Sequence, residues 1–210
     1  MAAVLGSVNI GRLLVADWAG SVGHTGIDKR PASGRVRVSR LGIDGDEISD
    51  RRHHGGFDQA LYAHATEDLA RWAGELGREL PPGSAGENLS TVGLDLTNAV
   101  IGEEWRIGTT RVQLSAPRIP CRVFAGFWGV PDLIKRFTAY GAPGSYLRVL
   151  DEGELGAGDP IEVVHRPSHG VTVRMAFRAL TTEPELLPQL MDVPELAAKS
   201  AETVRKRVPA

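Results

Sequence analysis

From residue 3 to about residue 165 the chain is a succession of short β-type runs, each cut off by glycine, aspartate or proline before it lengthens. Arg35-Val36-Arg37-Val38-Ser39 alternates and breaks at Gly42-Ile43-Asp44-Gly45-Asp46, and Ala60-Leu61-Tyr62-Ala63-His64 is a second run. Trp105 to Leu114 reads as a hairpin turning near Gly108, and Ser145–Leu150 with Asp159–His165 reads as a later pair. Strands this short and this numerous bury their apolar faces by wrapping into a barrel or stacking as a sandwich.

Two helices interrupt the strands. Thr66 is placed to cap a helix over Glu67–Leu80, with Pro81-Pro82 as its stop. Asp132–Tyr140 fits a second, with Pro131 near its start and Gly141 just past its end. After Pro167 the character changes, and Val171–Leu180, Glu183–Leu190 and Pro194–Arg205 read as three short helical segments. The predicted organisation is a mainly β domain over residues 1–167 followed by a small C-terminal helical appendage over 168–210.

The 210 residues, 42% apolar and 24% charged, suffice for one sizeable core. A formal net charge of −2 gives no bulk attraction to nucleic acid or acidic lipid, and Arg205-Lys206-Arg207 reads as solvated terminal charge. Met1 to Gly20 is broken by Asn9, Arg12 and Asp17, so neither a secretory signal nor a membrane span is expected there. A single cysteine without an export signal sets the expectation of a reducing cytoplasm.

That cysteine, Cys121, sits in Ser115-Ala116-Pro117-Arg118-Ile119-Pro120-Cys121-Arg122. It forms no internal disulfide, so its role is packing or chemistry. The prolines stiffen the segment, and two nearby guanidinium groups favour thiolate, the form that ligates metals and attacks electrophiles. Arg51-Arg52-His53-His54-Gly55-Gly56 is the second distinctive segment. Adjacent histidines on a strand face opposite ways, so at most one points into a given site. One cysteine with neighbouring histidines does not supply a zinc site. Asp44-Gly45-Asp46-Glu47-Ile48-Ser49-Asp50 fails as a calcium loop, with Ser49 where glycine is needed, and reads as an aspartate-rich turn with Asp46 and Asp50 placed to orient the histidines. Gly83-Ser84-Ala85-Gly86 matches no nucleotide-binding fingerprint and is either an anion-facing loop or a tight turn. Lys29 and Arg30, summed with Arg51, Arg52, Arg118 and Arg122, allow one basic pocket suited to a small polyanion.

Several of these segments, in order, resemble the MOSC-domain family. They are Ile27-Asp28-Lys29-Arg30-Pro31, Gly42-Ile43-Asp44-Gly45-Asp46, His53-His54-Gly55-Gly56-Phe57-Asp58-Gln59-Ala60, Gly83-Ser84-Ala85-Gly86-Glu87-Asn88-Leu89, Ile101-Gly102-Glu103, Pro117-Arg118-Ile119-Pro120-Cys121 and Gly158-Asp159. Tyr146-Leu147-Arg148-Val149-Leu150 and the tail from Val171 resemble its bacterial YiiM-like branch, where proline often replaces Phe57. The resemblance implies a MOSC-type β-barrel, like that of pyruvate kinase, that binds the molybdenum cofactor, a phosphorylated pterin whose dithiolene holds the metal. It implies Cys121 as the molybdenum ligand, and Lys29, Arg30, Arg52, Asn88, Arg118 and Arg122 around the cofactor. It implies reduction of N-hydroxylated substrates such as 6-hydroxylaminopurine, with Cys121 and His53 or His54 as catalytic groups; a histidine near its usual pKa of about 6.5 suits the proton transfer. No haem, flavin or iron–sulfur motif is present, so a separate electron-donating reductase is the expected partner, and a homodimer is admitted. The other reading is a module that carries the cofactor or a persulfide sulfur without turnover.

Overall fold

The computed structural model describes residues 2–50 and 54–208. In chain order its elements are β1 (Val4–Gly11), β2 (Leu14–Val15), β3 (His24–Thr25), β4 (Lys29–Pro31), β5 (Val36–Ser39), β6 (Gly42–Ile43) and β7 (Leu61–Ala65). There follow α1 (Thr66–Leu76), β8 (Leu89–Val92), β9 (Glu104–Ile107), β10 (Thr110–Pro117), α2 (Arg122–Trp128) and α3 (Leu133–Tyr140). The last are β11 (Ser145–Asp151), β12 (Gly153–Leu155), β13 (Ile161–His165), α4 (Val173–Thr181) and α5 (Ala198–Arg207), with a 3-10 segment at Pro184–Leu190 between the two helices.

The architecture is mixed α/β around one large sheet ordered β13-β9-β10-β11-β7-β8-β1-β4. Its pairs are antiparallel except β7 with β8. Those two are joined through α1, and a helical crossover is what returns a chain to a parallel neighbour. The β9–β10 hairpin turns at Gly108, whose φ of 58° is one that glycine adopts without strain.

The expectation of a closed barrel is corrected. β1 pairs with β4 over Asn9–Gly11, which occupies its outer edge, and meets β13 at the bridge between Val4 and Pro160. There Leu5 donates its N–H to the Asp159 carbonyl and Ile161 donates to Ala3, each at 2.9 Å. The later strand pair is also corrected: β11 lies between β10 and β7, whereas β13 pairs with β9. The linker between them forms β12, which pairs with β5 and carries the chain away before it returns.

α1 stops at Leu76, not Leu80, because Gly77 takes the left-handed C-cap and donates to Ala73. Its N-cap is Ala65, so Thr66 is the first helical residue and supplies no side-chain cap. α3 ends at Gly141 as expected.

Two buried clusters fill the interior. One joins Leu5, Leu89, Trp105, Leu114 and Val149 of the large sheet to Val173, Ala176, Leu190 and Val204 of the C-terminal segments. The other is aromatic, with Tyr62, Trp72, Phe124, Trp128 and Phe137 packed together. Trp72 stacks on Phe137 at 5.9 Å and meets Trp128 edge-on at 5.6 Å. This second cluster floors the candidate site.

Candidate functional site

A cavity of about 130 Å³ opens where the segments following β3, β6 and β10 converge. Cys121, Arg118, Lys29, Asn88 and His54 of the sequence-derived set all line it. Arg30 does not: it is exposed and paired with Asp28 at 2.8 Å. Arg122 is the exposed first residue of α2 and lies off the wall. His53, Arg51 and Arg52 lie outside the described residues.

Pro117 is the last residue of β10, in register with Ser145, and Pro120 holds the chain extended into Cys121. Cys121 is half-buried, with φ −130° and ψ 170°, immediately before α2. That helix was not expected from the sequence; its buried Phe124 and Trp128 seat it on the aromatic cluster and thereby fix Cys121 at the wall.

Arg118 is only 5% exposed. Its Nη1 donates to the Ala85 carbonyl at 2.9 Å, and its guanidinium carbon lies 4.1 Å from the Phe124 ring centroid and 5.0 Å from that of Tyr62. It also acts on the Tyr62 and Tyr146 hydroxyls, both of whose pKa values burial raises. A guanidinium carries five N–H donors, so these contacts do not exhaust it. Cys121 is within its electrostatic reach.

Lys29 and Asn88 share one carboxylate. Asp46 Oδ1 accepts from the Lys29 ammonium at 2.5 Å and from Gly11 N–H at 2.6 Å, while Oδ2 accepts from the Asn88 amide at 2.9 Å. Burial lowers the Lys29 pKa, and Asp46 opposes that shift. The expected turn is present, closed by Asp46 N–H donating to the Ile43 carbonyl, but the Asp46 side chain reaches out of it and braces the wall. Asn88 also donates to the Asn9 carbonyl and accepts from Tyr62 N–H, so its amide is committed within the protein.

The two readings of Gly83–Gly86 resolve to the tight turn. Glu87 is fully buried and accepts from Gly83 N–H at 2.6 Å, Ala85 N–H at 2.9 Å and Ser90 Oγ at 2.8 Å. Ser84 and Gly86 donate to Pro81 and Gly83, so the turn's N–H groups are spent internally. Gly83, at φ 91°, brings this turn against Lys29; a Cβ there would sit 2.2 Å from the Lys29 carbonyl oxygen.

The described part of the wall is mixed in sign, since Asp46, Glu47 and Asp50 stand beside Lys29 and Arg118, while Arg51 and Arg52 of the expected basic pocket lie outside the described residues. His54 is half-buried with Nδ1 3.3 Å from the Tyr146 hydroxyl. Tyr62, Tyr146 and Gln59 line the cavity and were not singled out from the sequence. Gln59 stood within the His-His-Gly-Gly segment and Tyr146 headed a segment of the resemblance, whereas nothing local marked Tyr62 as a cavity residue. Among the described residues no group of three or more histidine, cysteine or acidic side chains is arranged to hold a metal ion. No described helix is long and apolar enough to cross a membrane.

A family model described as "MOSC domain" matches residues 50–162. "Uncharacterized protein YflK" of Bacillus subtilis is 36% identical over 172 residues, covering 82% of this chain and 78% of that one. The crystal structure of YiiM from Geobacillus stearothermophilus superposes with a TM-score of 0.83 at 29% identity, over 99% of this chain and 100% of that one. A protein named "Reductase" from Gibberella moniliformis is 29% identical over 91% of this chain, which spans 35% of the fungal protein's length.

Proposed function

The chain belongs to the MOSC-domain family, in its YiiM-like branch, and we propose that it is a molybdenum-cofactor-dependent reductase of N-hydroxylated bases such as 6-hydroxylaminopurine. MOSC domains are generally molybdenum-cofactor-binding domains, and a relative named "Reductase" supports the direction of the chemistry. The observation that carries the reading is the pairing, in one cavity wall, of a half-buried thiol at Cys121 with a buried guanidinium at Arg118 whose donors are not exhausted.

The wall fits that cofactor better than a bare ion. A pterin dithiolene brings its own sulfur ligands to the metal, so the protein need supply one soft thiolate and a cation for the phosphate. Cys121 and Arg118 are that minimal set, with Lys29 a second cation whose charge Asp46 shares. When bound, the cofactor supplies the two-electron step in which an N–O bond is cleaved.

The chain's own residues bind, orient and move protons. Conversion of R–NHOH to R–NH2 and water takes two electrons and two protons. In this reading His54, whose Nδ1 lies 3.3 Å from the Tyr146 hydroxyl, delivers a proton to the departing oxygen. Ile27, Ile48 and Val123 contribute apolar side chains to the same cavity lining. The electrons come from a separate reductase in this reading, and the compartment is the cytoplasm.

The test is molybdenum and pterin analysis of protein purified from a cofactor-producing host, with Cys121→Ser beside the wild type. Wild type carries near-stoichiometric metal and reduces 6-hydroxylaminopurine with a chemical electron donor, and the serine variant loses both. Equal molybdenum in the two proteins ends the ligand role. Bound pterin without turnover in the wild type identifies a carrier instead.

A further inference from the structure

The Tyr146 hydroxyl and His54 Nδ1 stand 3.3 Å apart, both residues belong to the cavity wall, and the surroundings of the hydroxyl decide which of the two gives the proton. Tyr146 is the second residue of β11, flanked in register by Ala116 of β10 and Tyr62 of β7. Its ring meets that of Tyr62 at 5.5 Å, as side chains directly opposite on one face of a sheet do. The interior of the large sheet therefore holds it. His54 lies in a bend outside any strand or helix, with its N–H donating to the Asp50 carbonyl at 3.0 Å. The strand residue is the fixed member of the pair.

Arg118 orients the hydroxyl. Its guanidinium carbon lies 5.0 Å from the Tyr62 ring centroid, and its charge acts on the Tyr146 hydroxyl, opposing the rise that burial gives the pKa there. A guanidinium carries only donors, so the tyrosine oxygen turns its lone pairs toward Arg118 and its proton away. The Tyr62 hydroxyl beside it is spent on the Pro143 carbonyl at 2.8 Å and does not compete for His54. His54 Nδ1 is then the acceptor placed to take the Tyr146 proton. A neutral imidazole that accepts at Nδ1 carries its own proton on Nε2.

We propose that Tyr146 is a positioning residue for the proton transfer: its hydroxyl donates to His54 Nδ1, holds the ring in the tautomer protonated on Nε2, and refills the ring as that proton leaves. The proposal rests on the reductase reading given above, in which His54 serves the departing oxygen. In the step described, the Nε2–H bond breaks and an O–H bond forms on the departing oxygen, while the Tyr146 O–H bond breaks and an N–H bond forms on Nδ1. The imidazole stays neutral, and the phenolate charge faces Arg118. Protonation of Nε2 by solvent and return of the Nδ1 proton to Tyr146 restore the starting state. The second proton of the reduction comes from solvent, and the electrons are those of the separate reductase.

The test uses the full chain as wild type, Tyr146→Phe and His54→Gln. On protein from a cofactor-deficient host, at alkaline pH, long-range nitrogen–proton correlation spectra show which ring nitrogen of each histidine is protonated, and the signals lost in His54→Gln assign His54. In wild type Nε2 is protonated and Nδ1 is a hydrogen-bonded acceptor; in Tyr146→Phe the Nδ1 resonance moves to that of a free acceptor. Loaded protein given a chemical electron donor loses at least ~10-fold in kcat for 6-hydroxylaminopurine in Tyr146→Phe, at unchanged KM and pterin content, a share of the about 10²–10⁴-fold that a positioned acid contributes. A thermal melt establishes that the phenylalanine variant is folded, and the wild-type spectrum decides the tautomer if it is not. A wild-type His54 protonated on Nδ1 overturns the proposal. So does an Nδ1 resonance that the phenylalanine variant leaves in place, or wild-type kcat in that variant. Wild type that binds the cofactor yet reduces nothing defeats the reductase reading and the transfer with it, while the nitrogen resonances still decide the hydrogen bond.

Discussion

The Lys29 ammonium lies 2.5 Å from Asp46 Oδ1, and both side chains are nearly inaccessible, at 8% and 3% exposure. The pair stands in the cavity wall with Asn88 on the other carboxylate oxygen, so three strands' worth of chain, from β1, β4 and the approach to β8, are joined through one side chain. A buried ion pair adds little net stability over an apolar pair, but removing one partner strands the other charge.

Asp46→Asn is therefore expected to destabilise the fold by about 3 kcal/mol, the range for breaking a buried pair. Urea denaturation at neutral pH measures it. The double variant Lys29→Met with Asp46→Asn recovers part of the loss, because no uncompensated ammonium remains. A single variant as stable as wild type contradicts the account of this pair.

How much of this was legible beforehand followed the range of the interactions. The β9–β10 hairpin and the end of α3 are local, written in Gly108 and Gly141, and were read correctly. Cys121 was conspicuous because proline and arginine surround it. By contrast α2 has no side-chain N-cap, and Val123, Phe124, Phe127 and Trp128 are residues whose intrinsic bias is toward strands. Only packing on the aromatic cluster makes the segment helical. Asp46 read as a turn residue because its partners, Gly11, Lys29 and Asn88, are 35, 17 and 42 positions away. The open sheet was hidden for a similar reason: β1 divides its edge between β4 and the start of β13, a choice no single strand records.

Arg118 separates charge from shape at the cavity. Arg118→Lys keeps the charge but loses the planar fork that lies over Phe124 and Tyr62, and bound pterin is expected to fall roughly fivefold. Arg118→Met loses nearly all of it. Pterin fluorescence per chain, with a thermal melt to establish folding, distinguishes the two. Wild-type pterin in a folded methionine variant removes Arg118 from the cofactor's grip.

Asp58 ties the segment around the cavity to the C-terminal helix. It caps α5 from outside by accepting from Ala198 N–H, and Arg148, held by Asp58, also donates to the Glu195 carbonyl at 2.7 Å. Asp58 is a quarter exposed, so solvent screens part of the pair and Asp58→Ala is expected to cost about 2 kcal/mol. Hydrogen exchange locates the effect: the Ala198 amide loses protection while amides of β9 keep theirs. Unchanged exchange at Ala198 contradicts the cap.

His64 provides the pH dependence. It is fully buried beside Phe137 and Tyr62, and neither ring nitrogen has a partner among the described residues. Burial, with the Arg118 charge adding to it, lowers its pKa from 6.5 to about 3. Between those two values the unfolded chain binds a proton that the folded chain refuses, so stability rises with pH across that window. The contribution is complete above pH 6.5 and is lost as the pH falls toward 3, at about 1.4 kcal/mol per pH unit for one proton. His64→Leu removes the proton site and the unpaired N–H together. It is therefore expected to stabilise the protein more at pH 4.5 than at pH 7.5, flattening the acid limb of the stability curve. Urea unfolding at the two values measures the difference, and an equal effect at both means that the imidazole is not held neutral in the fold.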